Sequence, residues 1–223
     1  MIRTKHLWLA LLLITATNIF TASAKRLTLQ EHDTAAAYYR LGSEYYKAGR
    51  YLEAVEAYGQ AVQLKPDFAA AHNNLGYVYD ELGRYRDALK SYERAIRLRP
   101  DDALTHTNLT VTYRKLGWYK KAVEAGRRAI SLKPDMAEAH NNLGVVFYKM
   151  NRYREAIAEY EQAIRLKGDY AEAYFGLGVA QLAARNKGAA LEQHLTLNNL
   201  NQALAKELFG LIFQDKILRV GGK

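Results

Sequence analysis

Asparagine and histidine recur along the chain at a constant interval, which places two chemistries at regular steps. The residues that share this interval of 34 are Asn74, Asn108, Asn142, His72, His106 and His140. A carboxamide has an acceptor oxygen and two N–H donors, so a row of carboxamides can pair with both polar groups of a peptide backbone. An imidazole is a common metal ligand. The elements that carry these side chains decide whether either chemistry is available.

The composition of the chain excludes several classes of protein. It has 223 residues and no cysteine, which excludes disulfides, iron–sulfur clusters, thiolate metal sites and cysteine nucleophiles. Hydrophobic residues make up 49% and charged residues 25%, a composition that is typical of globular proteins and excludes collagen and general disorder. The net charge of +9 leaves anionic partners open. Because the GxSxG, P-loop, HExxH and GxGxxG motifs are absent, the sequence predicts neither an enzyme nor a cofactor.

The first 24 residues have the pattern of a secretory signal peptide. Arg3 and Lys5 precede an apolar segment of 14 residues, Leu7–Phe20, and Ala22-Ser23-Ala24 is a small-residue cleavage site. We expect cleavage near Ala24 and a periplasmic or secreted bacterial protein. The alternative is an uncleaved anchor in the inner membrane, although a spanning helix needs about 20 apolar residues.

A repeat of 34 residues accounts for most of the remaining chain. Pro66, Pro100 and Pro134 are 34 residues apart and are numbered here as repeat position 32. The repeats then begin at Ala35, Ala69, Ala103, Ala137 and Ala171. Leucine at position 7 and alanine at position 20 occur in all five copies. Apolar residues spaced by three and four predict two helices per repeat. Glycine or asparagine at position 15 predicts a turn with positive φ between them.

This pattern resembles the tetratricopeptide repeat family, with four strong copies and a degenerate fifth over residues 35–200. The resemblance implies an all-α fold, a right-handed superhelical solenoid of helix-turn-helix repeats. The repeats are predicted at 35–68, 69–102, 103–136, 137–170 and 171–200. A capping helix over 201–214, with Asn201 as its N-cap, is expected to cover the last repeat. Residues 25–34 are then a lead-in, and residues 215–223 a loose tail.

Repeat three departs from the pattern at two packing positions. Thr110 replaces the glycine of position 8, and Gly126 replaces the aromatic residue of position 24. A glycine inside a helix costs roughly 1 kcal/mol relative to alanine. We therefore expect repeat three to be the least stable repeat of the solenoid.

The family resemblance implies that positions 6, 9 and 12 of each first helix line a concave groove. Position 6 carries the three asparagines, which resembles the asparagine ladder of other superhelical members and implies pairing with the backbone of an extended peptide. The predicted groove residues are Asn73, Asn74, Asn108, Asn141, Asn142, Tyr46, Tyr77, Tyr148, Arg40, Lys47, Arg114, Lys115 and Lys149. The alternative is that the asparagines are ordinary repeat sequence, the tyrosines surface residues and the basic side chains a solvated face. The more specific hypothesis is that the basic side chains of the groove bind an acidic or mixed-charge peptide.

The histidines fall at position 4, which is a packing position, so they are interpreted as structural. Packed helices lie about 8–10 Å apart, whereas a metal–ligand bond is about 2 Å long, so one ion cannot bridge successive histidines. No metal site is predicted. The two-carboxylate clamp of chaperone-docking members is absent, because positions 2 and 6 of repeat three are Leu104 and Asn108 instead of basic residues.

Together these patterns predict a non-enzymatic protein–protein interaction scaffold of the bacterial cell envelope. Its groove would bind an extended segment of a protein or peptide partner. The alternative is a self-associating structural module, a homo-oligomer whose basic face contacts anionic envelope components. A nucleic-acid partner is disfavoured because the basic residues are dispersed and the chain carries an export signal. A membrane contact is expected only through an uncleaved signal.

Overall fold

The computed structural model describes the backbone of residues 33–220 and the side chains of residues 33–213. The predicted signal peptide and the greater part of the predicted lead-in lie outside the described residues. Helix α1 covers residues 33–47. The helices that follow are α2 (Tyr51–Leu64), α3 (Ala69–Glu81), α4 (Tyr85–Leu98), α5 (Ala103–Lys115), α6 (Tyr119–Leu132), α7 (Ala137–Lys149), α8 (Tyr153–Leu166), α9 (Ala171–Ala183), α10 (Lys187–Leu200) and α11 (Gln202–Val220). Residues 33–220 contain no β-strand, so the described chain is all-α.

The turns inside each repeat are set by one residue at position 15. Gly49, Gly83 and Gly117 have φ values of 72°, 70° and 75°, and Asn151 has a φ of 59°. These values confirm the turn predicted from the glycines and the asparagine, because the left-handed region is open to glycine and tolerated by asparagine. Arg185 occupies the same position in the fifth repeat with a φ of 63°, which the sequence did not predict.

The second helix of each of the first four repeats ends at position 30. The backbone N–H at position 31 donates to the carbonyl of the alanine at position 27, for example from Lys65 to Ala61 at 2.9 Å. Lys65 is extended, with φ −132° and ψ 87°. The residue before a proline is disfavoured in the helical region, so Pro66 ends the helix in agreement with the sequence. Lys167 has the same conformation before Gly168, with φ −139° and ψ 95°.

The chain divides into two compact units with the boundary between Gly83 and Arg84. In the first unit α2 packs against α3, and the buried core is formed by Ala54, Tyr58, Leu75 and Val78. Gly42 of α1 lies against the Tyr58 ring, where a Cβ atom would be 2.7 Å from the ring. This close approach explains the glycine of position 8, because any side chain would push the two helices apart.

In the second unit each helix from α4 to α11 packs against the next one along the chain. The first helices of successive repeats also touch, α5 with α7 and α7 with α9. Tyr160 is at the centre of this core, with a relative exposure of 3%. These contacts make the unit a continuous stack of helical pairs, in which no repeat buries its apolar face alone.

Helix α11 covers the end of the last repeat. Ala205, Leu208 and Ile212 are buried, and the space beside Gly178 is filled by Leu208, 2.5 Å from an added Cβ atom. The Asn201 side chain accepts a hydrogen bond from the Leu204 backbone N–H at 3.2 Å, as expected for an N-cap. The helix runs to Val220, beyond the predicted boundary at 214. No glycine or proline occurs between the predicted boundary at 214 and Gly221, so nothing local ends the helix at 214.

No helix among the described residues combines the length and the apolar character that crossing a membrane would require.

Candidate functional site

The histidines at position 4 bind the carbonyl oxygens of the prolines six residues before them. The Nε2 atom of His72 lies 3.1 Å from the Pro66 oxygen, and that of His106 lies 3.0 Å from the Pro100 oxygen. His140 repeats this contact with Pro134, and its Nδ1 atom is 2.7 Å from the Glu159 carboxylate. Each histidine thus binds a backbone carbonyl of the loop that joins its repeat to the preceding one. Within residues 33–213, no three potential ligand side chains are grouped in a way that could hold a metal ion.

The side chain of Asn74 is held by two tyrosine hydroxyls. Its Nδ2 donates to the Tyr39 hydroxyl at 3.1 Å and to the Tyr58 hydroxyl at 3.3 Å. Its Oδ1 accepts from the Asn73 amide at 3.3 Å. Both amide hydrogens of Asn74 are therefore engaged inside the protein. In this arrangement Asn74 positions two tyrosines, and a peptide backbone would have to compete with them for its amide group.

Burial and hydrogen bonding act in opposite directions on Tyr58. Burial raises the pKa of its hydroxyl above the usual value, and the hydrogen bonds that it makes with Ser43 and Asn74 oppose the change. The Ser43 hydroxyl lies 2.9 Å from that of Tyr58. The tyrosine therefore stays neutral at physiological pH, and its hydroxyl belongs to a closed network of neutral groups.

A pocket of about 240 Å³ opens beside this network in the first unit. Its lining residues come from α1, α2 and α3: Ser43, Tyr46, Lys47, Tyr58, Asn74, Tyr77 and Val78. Four of them, Tyr46, Lys47, Asn74 and Tyr77, are predicted groove residues. The sequence interpretation missed the other three. Ser43 shares position 9 with Tyr77, so the expectation that position 9 lines the groove could have identified it. Tyr58 and Val78 are core residues with one face on the pocket.

Two predicted groove residues of the first unit lie outside the pocket lining. Asn73 is buried, and its amide donates a hydrogen bond to the Asn74 side chain, which lines the pocket. Arg40 is exposed on α1. The structure thus brings four predicted residues of this unit together and leaves Arg40 apart from them.

The other two ladder asparagines lie in the second unit and differ from each other in exposure. Asn108 is buried, with a relative exposure of 8%, whereas Asn142 is half-buried. No hydrogen bond to the Asn142 side chain is found among the described residues. Asn141 is buried, and its Oδ1 has no hydrogen-bond partner within that part of the chain. The ladder ends at Asn142, because position 6 of repeat five is Gly176, where an added Cβ atom would be 2.5 Å from the Tyr160 ring.

The remaining predicted groove residues of the second unit are Tyr148, Arg114, Lys115 and Lys149. Tyr148 packs against Tyr153, with ring centroids 5.7 Å apart. Burial raises the pKa of Tyr160, Tyr148 raises it further, and the positive charge of Arg114 opposes the change. Lys115 and Lys149 are exposed.

In both units the predicted groove positions carry aromatic rings, carboxamides and cationic groups. A carboxamide can both donate and accept hydrogen bonds.

Comparisons with known proteins agree with the repeat structure. The TPR repeat model matches residues 42–83, 111–151 and 146–184, and further tetratricopeptide repeat models match residues 69–102 and 91–124. No curated protein matches the sequence at a significant level.

Solved structures share the fold over nearly their full length. The MamA protein is 25% identical, with a TM-score of 0.66 over 78% of this chain and 95% of that chain. YrrB, described as a TPR protein with an unusual peptide-binding site, is 22% identical, with a TM-score of 0.63 over 82% of this chain and 95% of that chain. The pilF protein of Pseudomonas aeruginosa is 19% identical, with a TM-score of 0.70 over 87% of this chain and 95% of that chain.

Proposed function

The chain belongs to the tetratricopeptide repeat family, and on that premise we propose that it binds an extended segment of a partner protein in its groove, as a non-enzymatic scaffold of the bacterial cell envelope. Proteins built from these repeats are generally non-enzymatic interaction scaffolds. The observation that carries the peptide-binding proposal is the pocket of the first unit, where Tyr46, Lys47, Asn74 and Tyr77 meet. The peptide-binding site named for YrrB, a protein of the same fold, supports it.

The second unit supplies the residue best suited to contact a bound peptide backbone. Asn142 is half-buried and its carboxamide makes no hydrogen bond among the described residues, so the oxygen and both N–H groups are available. Arg114 and Lys149 occupy positions 12 and 13 of first helices in the same unit, which suits a peptide that carries negative charge. A partner with acidic residues is therefore the preferred ligand class.

We expect a photoreactive benzophenone side chain at position 142 to crosslink the partner in the organism that encodes the chain. The matched control carries the same group at position 158, because Ala158 is exposed on α8 of the same repeat. Crosslinked products are separated by electrophoresis and identified by mass spectrometry. The expected result is a discrete protein adduct from position 142 and none from position 158.

Two results of this experiment would contradict the proposal. Equal adducts from both positions, or none from position 142, would mean that no partner contacts the predicted groove at Asn142. An adduct with the mass of two copies of this chain would instead favour the self-associating module. In that alternative the contact surface would include the exposed apolar side chains Leu195 of α10 and Phe209 of α11.

We also propose that the chain acts in the periplasm or outside the cell after cleavage near Ala24. The support is the charged, apolar and small-residue pattern of residues 1–24. N-terminal sequencing of the chain recovered from cells is expected to begin at Lys25, in the periplasmic fraction or the medium. A chain that retains residues 1–24 and stays with the inner membrane would overturn cleavage and support the anchored alternative.

A further inference from the structure

The pocket of the first unit has the size and shape to accept one side chain. Its volume of about 240 Å³ corresponds to roughly eight water molecules at liquid density. Tyr46 and Tyr77 form its walls, with ring centroids 5.4 Å apart in an edge-to-face arrangement of 78°. Tyr58 and Val78 lie at its base and are almost fully buried. A single aliphatic or aromatic residue fits such a space, whereas a helix does not.

The surfaces of the pocket favour an apolar occupant. Aromatic rings and the Val78 methyl groups supply most of the lining. Three of the polar lining groups are already paired with one another, because the Tyr58 hydroxyl bonds to Ser43 and Asn74. A polar side chain placed against these three groups would lose its hydration and would have to compete with their existing hydrogen bonds, which is costly. An apolar side chain gains free energy from the same burial.

The electrostatics of the pocket rim favour a carboxylate beside that apolar side chain. Lys47 is exposed and is the one residue with a formal charge among those that line the pocket. Its ammonium group has three donors and no acceptor. An exposed pair of this kind adds little affinity, but it disfavours a basic residue at the same place. The pocket therefore selects by charge as well as by size.

We propose that this pocket binds one large apolar side chain of the partner peptide and that Lys47 pairs with a carboxylate of the same peptide within about two residues of it. The inference rests on the proposed function and adds a sequence preference to it. The carboxylate belongs either to an aspartate or glutamate side chain or to a peptide C-terminus.

The two sources of the carboxylate can be separated by selection of peptides on the full chain. Two libraries of random dodecapeptides are displayed on phage, one with the peptide internal and one with a free C-terminus, and both are sequenced before and after selection. The expected enrichment is leucine, isoleucine, phenylalanine or methionine within two residues of an acidic group. Enrichment in both libraries indicates a side-chain carboxylate, and enrichment in the C-terminal library alone indicates the terminus.

Selected peptides are then synthesised with a fluorescent label, and Kd is measured by anisotropy for pocket variants. Tyr77→Ala is expected to weaken binding about tenfold, as truncation of an aromatic contact residue does. Lys47→Ala is expected to weaken it about two- to fivefold, with the loss disappearing at high salt. Both residues are exposed, and circular dichroism verifies that the variants remain helical. The matched controls are Leu52→Ala and Lys90→Ala, which replace exposed residues outside the pocket and are expected to leave Kd unchanged.

The outcomes separate this inference from the proposed function. If peptides are selected but lack the apolar and acidic pair, or bind the Tyr77→Ala variant as tightly as the original chain, the pocket assignment is overturned and groove binding stands. If neither library is enriched and position 142 gives no crosslink, both the pocket assignment and the proposed function fail.

Discussion

Replacing Tyr160 by alanine is expected to lower the free energy of unfolding by about 3–5 kcal/mol, the range observed for deletion of a large buried aromatic side chain. Tyr160 is 3% exposed and is the largest side chain of its core cluster. Its ring lies against two glycines, with added Cβ atoms at 2.9 Å for Gly144 and 2.5 Å for Gly176. Because glycines have no side chain to move, the cavity left by the ring stays open.

Urea unfolding followed by circular dichroism measures this loss. Tyr160→Phe is the matched control, because it retains the ring and removes only a hydroxyl for which no hydrogen bond is found among the described residues. The control is expected to change the free energy of unfolding by less than about 1 kcal/mol, as conservative core substitutions do. A loss below about 1 kcal/mol for Tyr160→Ala would contradict the central role of this ring.

In repeat three the larger and the smaller residue have changed places at packing positions 8 and 24. Repeats one, two and four combine glycine at position 8 with tyrosine at position 24, and in repeat one Gly42 lies against the Tyr58 ring. Repeat three has Thr110 and Gly126 instead, and Thr110 is 1% exposed. An added Cβ atom at Gly126 would lie 3.4 Å from Thr110 and 3.2 Å from Leu143. The threonine side chain therefore occupies space that the tyrosine ring occupies beside Gly42 in repeat one and beside Gly144 in repeat four.

Gly126→Tyr is expected to destabilise the chain by about 1–3 kcal/mol, because the new ring meets Thr110 and overpacks the core. Thr110→Gly alone is expected to destabilise it as well, since it removes buried methyl contacts and places a second glycine in the packed region. In the double variant the ring has room above the new glycine, as Tyr58 has above Gly42. We therefore expect the double variant to be less destabilised than the sum of the single ones by about 1–3 kcal/mol.

The four chains of this cycle are compared by urea unfolding under identical conditions. Additive losses would show that Thr110 and Gly126 are not packed as a complementary pair. In that case the prediction from the sequence, that repeat three is the least stable repeat, would stand. Coupling of the expected sign would instead mean that the two departures compensate for each other.

The three asparagines of the ladder show that a repeat position alone does not decide what a side chain binds. The same residue type at the same repeat position has different surroundings in each copy. Asn74 donates to two tyrosines, Asn108 is buried, and Asn142 makes no hydrogen bond among the described residues. The neighbour that differs is position 24 of the preceding repeat, which is Tyr58 before Asn74 and Gly126 before Asn142. A common repeat position therefore does not guarantee a common binding role.

The sequence by itself determined the all-α fold, the end of the second helix before each repeat proline, the turns at position 15 of the first four repeats and the N-cap at Asn201. These features depend on interactions over a few residues, such as the φ preference of glycine and the restriction before proline. They could be predicted because the repeat presents the same local signals several times.

Only the tertiary structure decided which groove residues share a pocket and which are already occupied. The Asn74 amide reaches Tyr58 across 16 residues and Tyr39 across 35 residues of sequence. Whether two such groups meet depends on distances of a few ångströms between packed helices, which residue types and spacing do not determine. For the same reason Tyr58, predicted as core alone, also forms the base of the proposed binding pocket.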